Sequence, residues 1–201
     1  MRDWSLTQTS GPSIEPVTTA EAKHHSRVDA GADDAYVAGL IKAARERVEQ
    51  ITGRQLITAT YELRMHGFYN PILLPRPPLQ DVTKIEYVDT GGSTQTVSAG
   101  IYDVDSHSNP ARVHLAYAQS WPSYRSVPNA VTVTYDAGYG DAASDVPSEL
   151  RHAIKMLVGH WYENREQTIA GTIARPVPMG VPEVCRGYSV TNYGWAYPGG
   201  N

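Results

Sequence analysis

Asp145-Val-Pro-Ser-Glu-Leu-Arg-His-Ala-Ile-Lys-Met-Leu-Val-Gly-His-Trp-Tyr-Glu-Asn-Arg165 has the periodicity of a core helix. Leu150, Ala153, Ile154, Leu157, Val158 and Trp161 recur at three- and four-residue steps and share one face. Arg151, Lys155 and Glu163 fall largely outside that stripe. Asp145 is expected to cap the first free amides, and Pro147 suits a first turn, where a missing N–H costs nothing. The far end, His160-Trp-Tyr-Glu-Asn-Arg-Glu166, is dense in large amphipathic side chains, which points to contact with something besides its own core.

Such a helix needs a partner, and an upstream stretch supplies one. Val37, Leu40, Ile41, Ala44, Val48 and Ile51 form a matching stripe, with Lys42, Arg45, Glu46 and Glu49 expected mostly on the other side. Asp33 and Asp34 place negative charge at the positive helix end, and Gly53 provides the stop. The two long helices are expected to pack together across some ninety intervening residues. Before them, Thr18-Thr-Ala-Glu21 has capping-box spacing and predicts a short helix from Thr19 to about Val28.

Between the long helices the period changes to two. Tyr61, Leu63 and Met65 alternate with polar residues, as do Val113, Leu115 and Tyr117, and Val131, Val133 and Tyr135, which is the pattern of half-buried strands. Pro71, Pro75, Pro77 and Pro78 break the chain there, since proline cannot donate within a central ladder. Asp89-Thr-Gly-Gly92 reads as a hairpin turn between Ile85–Val88 and Thr94–Val97. The fold class is therefore α+β: a small antiparallel helical core, with two long helices and shorter ones, carrying an inserted antiparallel β-module and extended termini. The expected divisions are a flexible arm over 1–16, the first part of the helical core over 17–57, the β-module over 58–136, the second part of the core over 137–187 and an aromatic tail over 188–201. One helical turn is expected near Val181 to Gly187. The tail, Tyr188-Ser-Val-Thr-Asn-Tyr-Gly-Trp-Ala-Tyr-Pro-Gly-Gly-Asn201, is too rich in glycine to build a core alone; it is disordered or ordered by a partner.

Composition narrows the function. The chain of 201 residues carries a net charge of −4, with an isoelectric point near 5.9 and no basic run. Sequence-independent nucleic-acid binders depend on an excess of lysine and arginine, so tight DNA binding is not expected. Cys185 stands alone, which excludes an intrachain disulfide and a cysteine-based zinc site. No apolar run suits a signal peptide or a membrane span, so a reducing cytoplasm is the expected place of synthesis. Thirteen tyrosines against one phenylalanine suit either surfaces that are exposed first and covered later or a large exposed β surface.

Motifs for chemistry are missing. Asp103-Val-Asp105-Ser-His107 alternates three possible ligands but lacks the further oxygen donors, glycine and terminal glutamate of a calcium loop. His152 and His160 are too far apart for a helical metal pair, and His24-His25 diverge. Gly138-Tyr-Gly140 is an isolated loop without the rest of a nucleotide fingerprint. His160 and Glu163 have acid–base spacing on a helix, but no nucleophile accompanies them. No catalytic residue, cofactor or metal site is assigned.

The ordered set of fragments resembles the head–tail connector (adaptor) proteins of tailed bacteriophages, prophages and gene transfer agents. The matching pieces run from Glu15-Pro-Val-Thr-Thr-Ala-Glu-Ala-Lys23 with Arg27-Val-Asp29, through Asp33-Asp34 to Ala44-Arg-Glu-Arg-Val-Glu49, and Thr52-Gly-Arg-Gln-Leu56. They continue with Leu74-Pro-Arg-Pro-Pro-Leu79, Val82-Thr-Lys-Ile-Glu-Tyr-Val-Asp89, Trp121-Pro122, Pro128-Asn-Ala-Val-Thr-Val133, Ala137-Gly-Tyr-Gly-Asp141 and Val146-Pro147, and close on His160–Glu166. The resemblance spans residues 14 to 187 and leaves out both ends.

It implies a virion protein without catalysis, assembled in the host cytoplasm. Such proteins form a homo-oligomeric ring, typically of twelve subunits, beneath the portal protein. The ring extends the DNA channel, and the tail terminator, stopper or other neck protein docks on it. DNA would pass through without specific binding, and no membrane is involved. Trp161, Tyr162 and Arg165 are of the types that anchor interfaces and are expected to touch a neighbour, with intrachain packing the equal alternative for Trp161. Tyr188, Tyr193, Trp195 and Tyr197 are expected to meet the portal or an adjoining ring. Two other classes fit the residues less well: a carbohydrate- or surface-binding virion module built on the tyrosine-rich β region, and a small hydrolase using His160 and Glu163.

Overall fold

The computed structural model describes residues 4–28, 31, 33–164 and 180–190. They belong to two units, each with its own core. The helical unit holds Ser13–Ile57 and the described chain from Gly140 to Val190; the β unit holds the N-terminal residues up to Pro12 and Thr58–Tyr139.

In the helical unit α1 spans Thr19–Ser26 and begins with the expected capping box. The Glu21 N–H donates to the Thr18 hydroxyl at 3.2 Å, and the Thr18 N–H donates back to the Glu21 carboxylate at 2.8 Å. Helix α2, Asp34–Thr52, buries Val37, Ile41, Ala44 and Val48 and stops at Gly53, which takes φ +71° and returns its N–H to the Glu49 carbonyl. Helix α3, Ser148–Glu163, buries Leu150, Ala153, Ile154, Leu157 and Val158. It packs on α2, as the matching stripes require, and on α1. A short α4, Gly180–Arg186, closes the unit by burying Val181 and Cys185 against α2 and α3.

Two expectations for this unit are corrected. Asp145 does not cap α3. It ends a 3-10 turn, Ala143–Asp145, and its carboxylate accepts from the Ala142 N–H at 3.0 Å. Pro147 holds the N-cap position instead, two residues past Asp145, and its carbonyl accepts from the Leu150 and Arg151 amides. Arg45 and Glu49 also do not lie on the solvent side of α2. Both are about 5–6% exposed and belong to a buried polar network beneath the loop that follows the helix.

The β unit contains two antiparallel sheets. Strands β1 (Trp4–Ser10), β2 (Ala59–Met65), β4 (Leu79–Val88), β5 (Thr94–Thr96) and β8 (Val131–Ala137) form the larger, in the order β1-β2-β8-β4-β5. Strands β3 (Ile72–Leu74), β6 (Tyr102–Asp105) and β7 (Ala111–Leu115) form the smaller, in the order β3-β7-β6. One apolar cluster joins them, with Leu63, Met65, Ile85, Val131, Val133 and Tyr135 from one sheet and Ile72, Leu74 and Val113 from the other. The period-two alternation explains this, since every second side chain on β2 and β8 faces that cluster. Tyr61 and Tyr135 are cross-strand partners whose rings stack at 5.8 Å, and the Tyr135 hydroxyl donates to the Pro75 carbonyl at 2.8 Å. The predicted hairpin is present: Asp89 and Gly92 close the turn between β4 and β5, and Gly92 takes φ +93°.

The flexible arm expected over 1–16 is the third correction. Residues Trp4–Ser10 pair with β2, Trp4 opposite Met65 and Leu6 opposite Leu63, and so extend the larger sheet. Their sequence is mostly polar, and the strand is held by backbone pairing to a formed neighbour more than by burial of its own side chains. Val17, just past the arm, is also fully buried.

Candidate assembly surfaces

The end of α3 carries the first group of expected contact residues. Trp161 and Tyr162 are both half-buried. The Tyr162 hydroxyl donates to the Asp33 carboxylate at 3.0 Å, and its ring lies 6.1 Å from that of Tyr36. Tyr162 is therefore seated on the start of α2 while part of its ring stays open. Asp33 holds φ +57°, so the residue just before α2 turns into the left-handed region as it meets Tyr162. After Tyr162 the helix closes on Asn164, whose N–H and side-chain amide both donate to the His160 carbonyl, at 3.0 and 2.9 Å. His160 and Glu163 line an open hollow with His25, Ser26, Arg27, Met156 and Gly159. Gly159 lets α1 approach closely, because a Cβ there would stand 3.2 Å from the Ser26 hydroxyl.

Tyr188 is the second described member of the set. Its carbonyl accepts from Arg54 Nε at 2.6 Å and its hydroxyl donates to the Glu149 carboxylate at 2.8 Å. Next to it Val190 is 1% exposed and donates its N–H to the Thr52 carbonyl at 2.8 Å. Tyr188 thus belongs to the helical unit, not to a free tail. Arg165, Tyr193, Trp195 and Tyr197 lie outside the described residues.

Electrostatics within the unit are set by a few packed groups. Arg45 donates through Nε to Glu15 and through Nη1 to Glu49, both at 2.8 Å. The other oxygen of Glu49 accepts from Gln55 at 2.9 Å and from the Leu56 N–H at 3.1 Å. Arg151 reaches from α3 to the Pro16 carbonyl at 3.0 Å and to Glu21 at 2.6 Å. The Thr18 N–H holds the Glu21 carboxyl below its ordinary range, with help from Arg151 and Lys155. Burial pushes the His25 imidazole down, and His152, in edge contact at 5.5 Å, pushes it further, as do Lys155 and His24.

In the β unit Asp103 lies within β6 opposite His114, and Asp105 serves the turn that follows. Asp105 accepts from the His107 and Ser108 amides at 3.0 and 3.2 Å and from the Ser108 hydroxyl at 2.5 Å. The hydroxyl bond holds its carboxyl below the usual range, with help from the two amides and Arg112. Among the described residues no three His, Cys, Asp or Glu side chains are grouped to hold a metal ion, and no helix is long and apolar enough to cross a membrane. Sequence reading did not single out the aromatic group around Phe68. Trp121 stacks on it at 4.7 Å, Tyr124 meets it edge-on at 5.5 Å and Tyr87 lies at 5.8 Å. Close by in sequence, Tyr117 is 97% exposed. The signal was present in Trp121-Pro-Ser-Tyr124, but without periodicity nothing paired it with Phe68.

The comparisons with known proteins bear on this arrangement. The profile of a family described as "Head completion protein" matches residues 16–174. No curated protein sequence matches the chain. Among solved structures the chain is similar to a protein from the neck of an empty GTA particle computed with C6 symmetry, at 24% identity and a TM-score of 0.76 over 96% of this chain and 100% of that one. It is also similar to one from the virion of a native gene transfer agent (GTA) particle, at 23% identity and a TM-score of 0.78 over 96% and 99%. A third, from the neck of a native GTA particle computed with C12 symmetry, has 21% identity and a TM-score of 0.73 over 96% and 100%. At these identities the likeness is one of fold.

Proposed function

Because the chain belongs to the head completion protein family, we propose that it is a structural head–tail connector of a phage-like virion. The observation that carries this is the family match over 16–174, which takes in both long helices and the whole chain between them. In this reading copies form a closed ring of twelve in the virion neck, beneath the portal protein. The ring prolongs the DNA channel and presents a seat for the tail or the next neck protein. The same fold in proteins from necks computed with C6 and C12 symmetry supports a ring.

The residues suit the task physically. A heterologous contact that repeats by rotation closes into a ring. A subunit of net charge −4 has no excess of cations to hold phosphate, so DNA can slide past it. Trp161, the open part of Tyr162 and Arg165 are the proposed anchors on a neighbouring copy, and Tyr193, Trp195 and Tyr197 the anchors on the portal or an adjoining ring. The reading assigns no catalysis.

The test is electron microscopy of the protein alone and mixed with the portal protein of the same genome. A ring stacked coaxially on the portal is the expected result. Well-folded protein that neither forms rings nor joins the portal would overturn the reading.

A further inference from the structure

An open sheet edge presents unpaired N–H and C=O groups and is a template for another strand; folded proteins usually blunt it with charge, proline, bulges or a cover. The edges of the β unit differ in this respect. In the smaller sheet β3 is largely buried and β6 carries Asp103 and Asp105. In the larger sheet the part of β4 that extends past β5 holds Asp81 and Lys84, and its pairing shifts twice, between Leu79 and Asp81 and between Val82 and Lys84. These edges are defended.

Among the described residues the two ends of the larger sheet carry neither charge nor proline. Strand β1, Trp4-Ser-Leu-Thr-Gln-Thr-Ser10, has no charge and no proline, and its pairing is regular from Trp4 to Gln8, with one shift near its end. At the other end β5 is fully exposed, and Ser93-Thr-Gln-Thr-Val-Ser98 is likewise uncharged and free of proline. Its ladder with β4 is unbroken from the Asp89–Ser93 bond to the Val97–Ile85 bond. Four antiparallel steps separate the two ends, so β1 and β5 run in the same direction.

We propose that β1 of one copy pairs with β5 of the next, so that the larger sheets continue from subunit to subunit around the ring. The inference rests on the ring reading above and assigns it an interface. A ring needs two different surfaces that fit each other, and these two edges, both free of charge and proline, are a pair of that kind. A short strand pairing covers only part of the ~800 Å² per partner of a standard interface. The edges therefore set direction and register, while aromatic contacts such as those at the end of α3 supply area.

Cysteine pairing tests this directly, because the single native thiol, Cys185, is buried. Ser5 and Thr7 pair with Arg64 and Glu62, and Thr94 and Thr96 with Val88 and Glu86, all away from the apolar cluster, so a thiol is tolerated there. Each of Ser5→Cys and Thr7→Cys is combined with each of Thr94→Cys and Thr96→Cys, and assembled rings are oxidised. At least one combination is expected to give a reducible ladder of covalent multimers that the single variants do not give. Hydrogen exchange on the unmodified chain is the second measurement, and outward amides of β1 should slow at least tenfold on assembly. Rings seen by microscopy, with every combination unlinked and β1 exchange unchanged, would overturn the edge pairing and leave the ring standing. Failure of the unmodified chain to form any ring, alone or with the portal, would overturn the ring reading and the edge pairing with it.

Discussion

Arg45 and Glu49, one turn apart on α2, form a 2.8 Å ion pair in which both side chains are less than a tenth exposed. The pair acts beyond the helix, since Glu49 also receives Gln55 and the Leu56 N–H and so fixes the chain as it leaves Gly53. Removing one member of a buried pair strands the other. Arg45→Met or Glu49→Gln should each lower stability by about 3 kcal/mol, read as a shift in urea midpoint. The double variant should cost less than the two losses summed. Strict additivity would show that the two groups do not depend on each other.

That pair also marks the limit of what the sequence disclosed. The stripes on α2 and α3, the capping box and the hairpin were legible because each is a local pattern with a fixed period or spacing. The helical period places Arg45 and Glu49 beside the apolar stripe, where charge alone predicts the outer side of the helix. Their burial depends on Glu15 and Gln55, which no helical spacing connects to them. Strand β1 was missed for a related reason, because a polar segment becomes a strand only through the ladder that β2 offers. The aromatic end of α3 was legible as unusual, whereas the seating of Tyr162 on Asp33 depends on a residue far away in the chain.

Tyr135 tests the β unit in the same spirit. Its hydroxyl is buried and satisfies the Pro75 carbonyl at 2.8 Å. Tyr135→Phe keeps the ring that stacks on Tyr61 but leaves that carbonyl without its donor, at an expected cost of about 1–3 kcal/mol. Thermal unfolding measures this, and an unchanged midpoint would mean that the hydroxyl is dispensable.

Acid should weaken the helical unit through two groups acting in the same direction. Burial and the neighbouring cations hold the His25 imidazole below its ordinary value of 6.5, so the unfolded chain binds a proton more readily than the folded one. Its contribution is complete above that value and is lost as pH falls toward the folded value. The Thr18 N–H keeps Glu21 below its ordinary value of 4.5, so that contribution is complete above 4.5 and goes only at lower pH. Melting curves should therefore fall in two stages. His25→Gln should flatten the first and Glu21→Gln the second. One stage surviving both substitutions unaltered would assign acid sensitivity elsewhere.

Truncation separates the fold from attachment. Cutting after Gly187 removes buried Val190 together with the bonds from Val190 to Thr52, from Arg54 to Tyr188 and from Tyr188 to Glu149. Burial of a valine side chain alone is worth about 1.5–3 kcal/mol, so this shorter chain should melt measurably earlier. Cutting after Val190 spares all of these contacts and removes Tyr193, Trp195 and Tyr197. That chain should melt with the full-length protein and still form rings, yet bind the portal at least tenfold more weakly. Equal portal binding by the chain ending at Val190 would take the tail out of attachment, and Trp161 and Tyr162 at the end of α3, with Arg165 beyond them in sequence, would be the next residues to substitute.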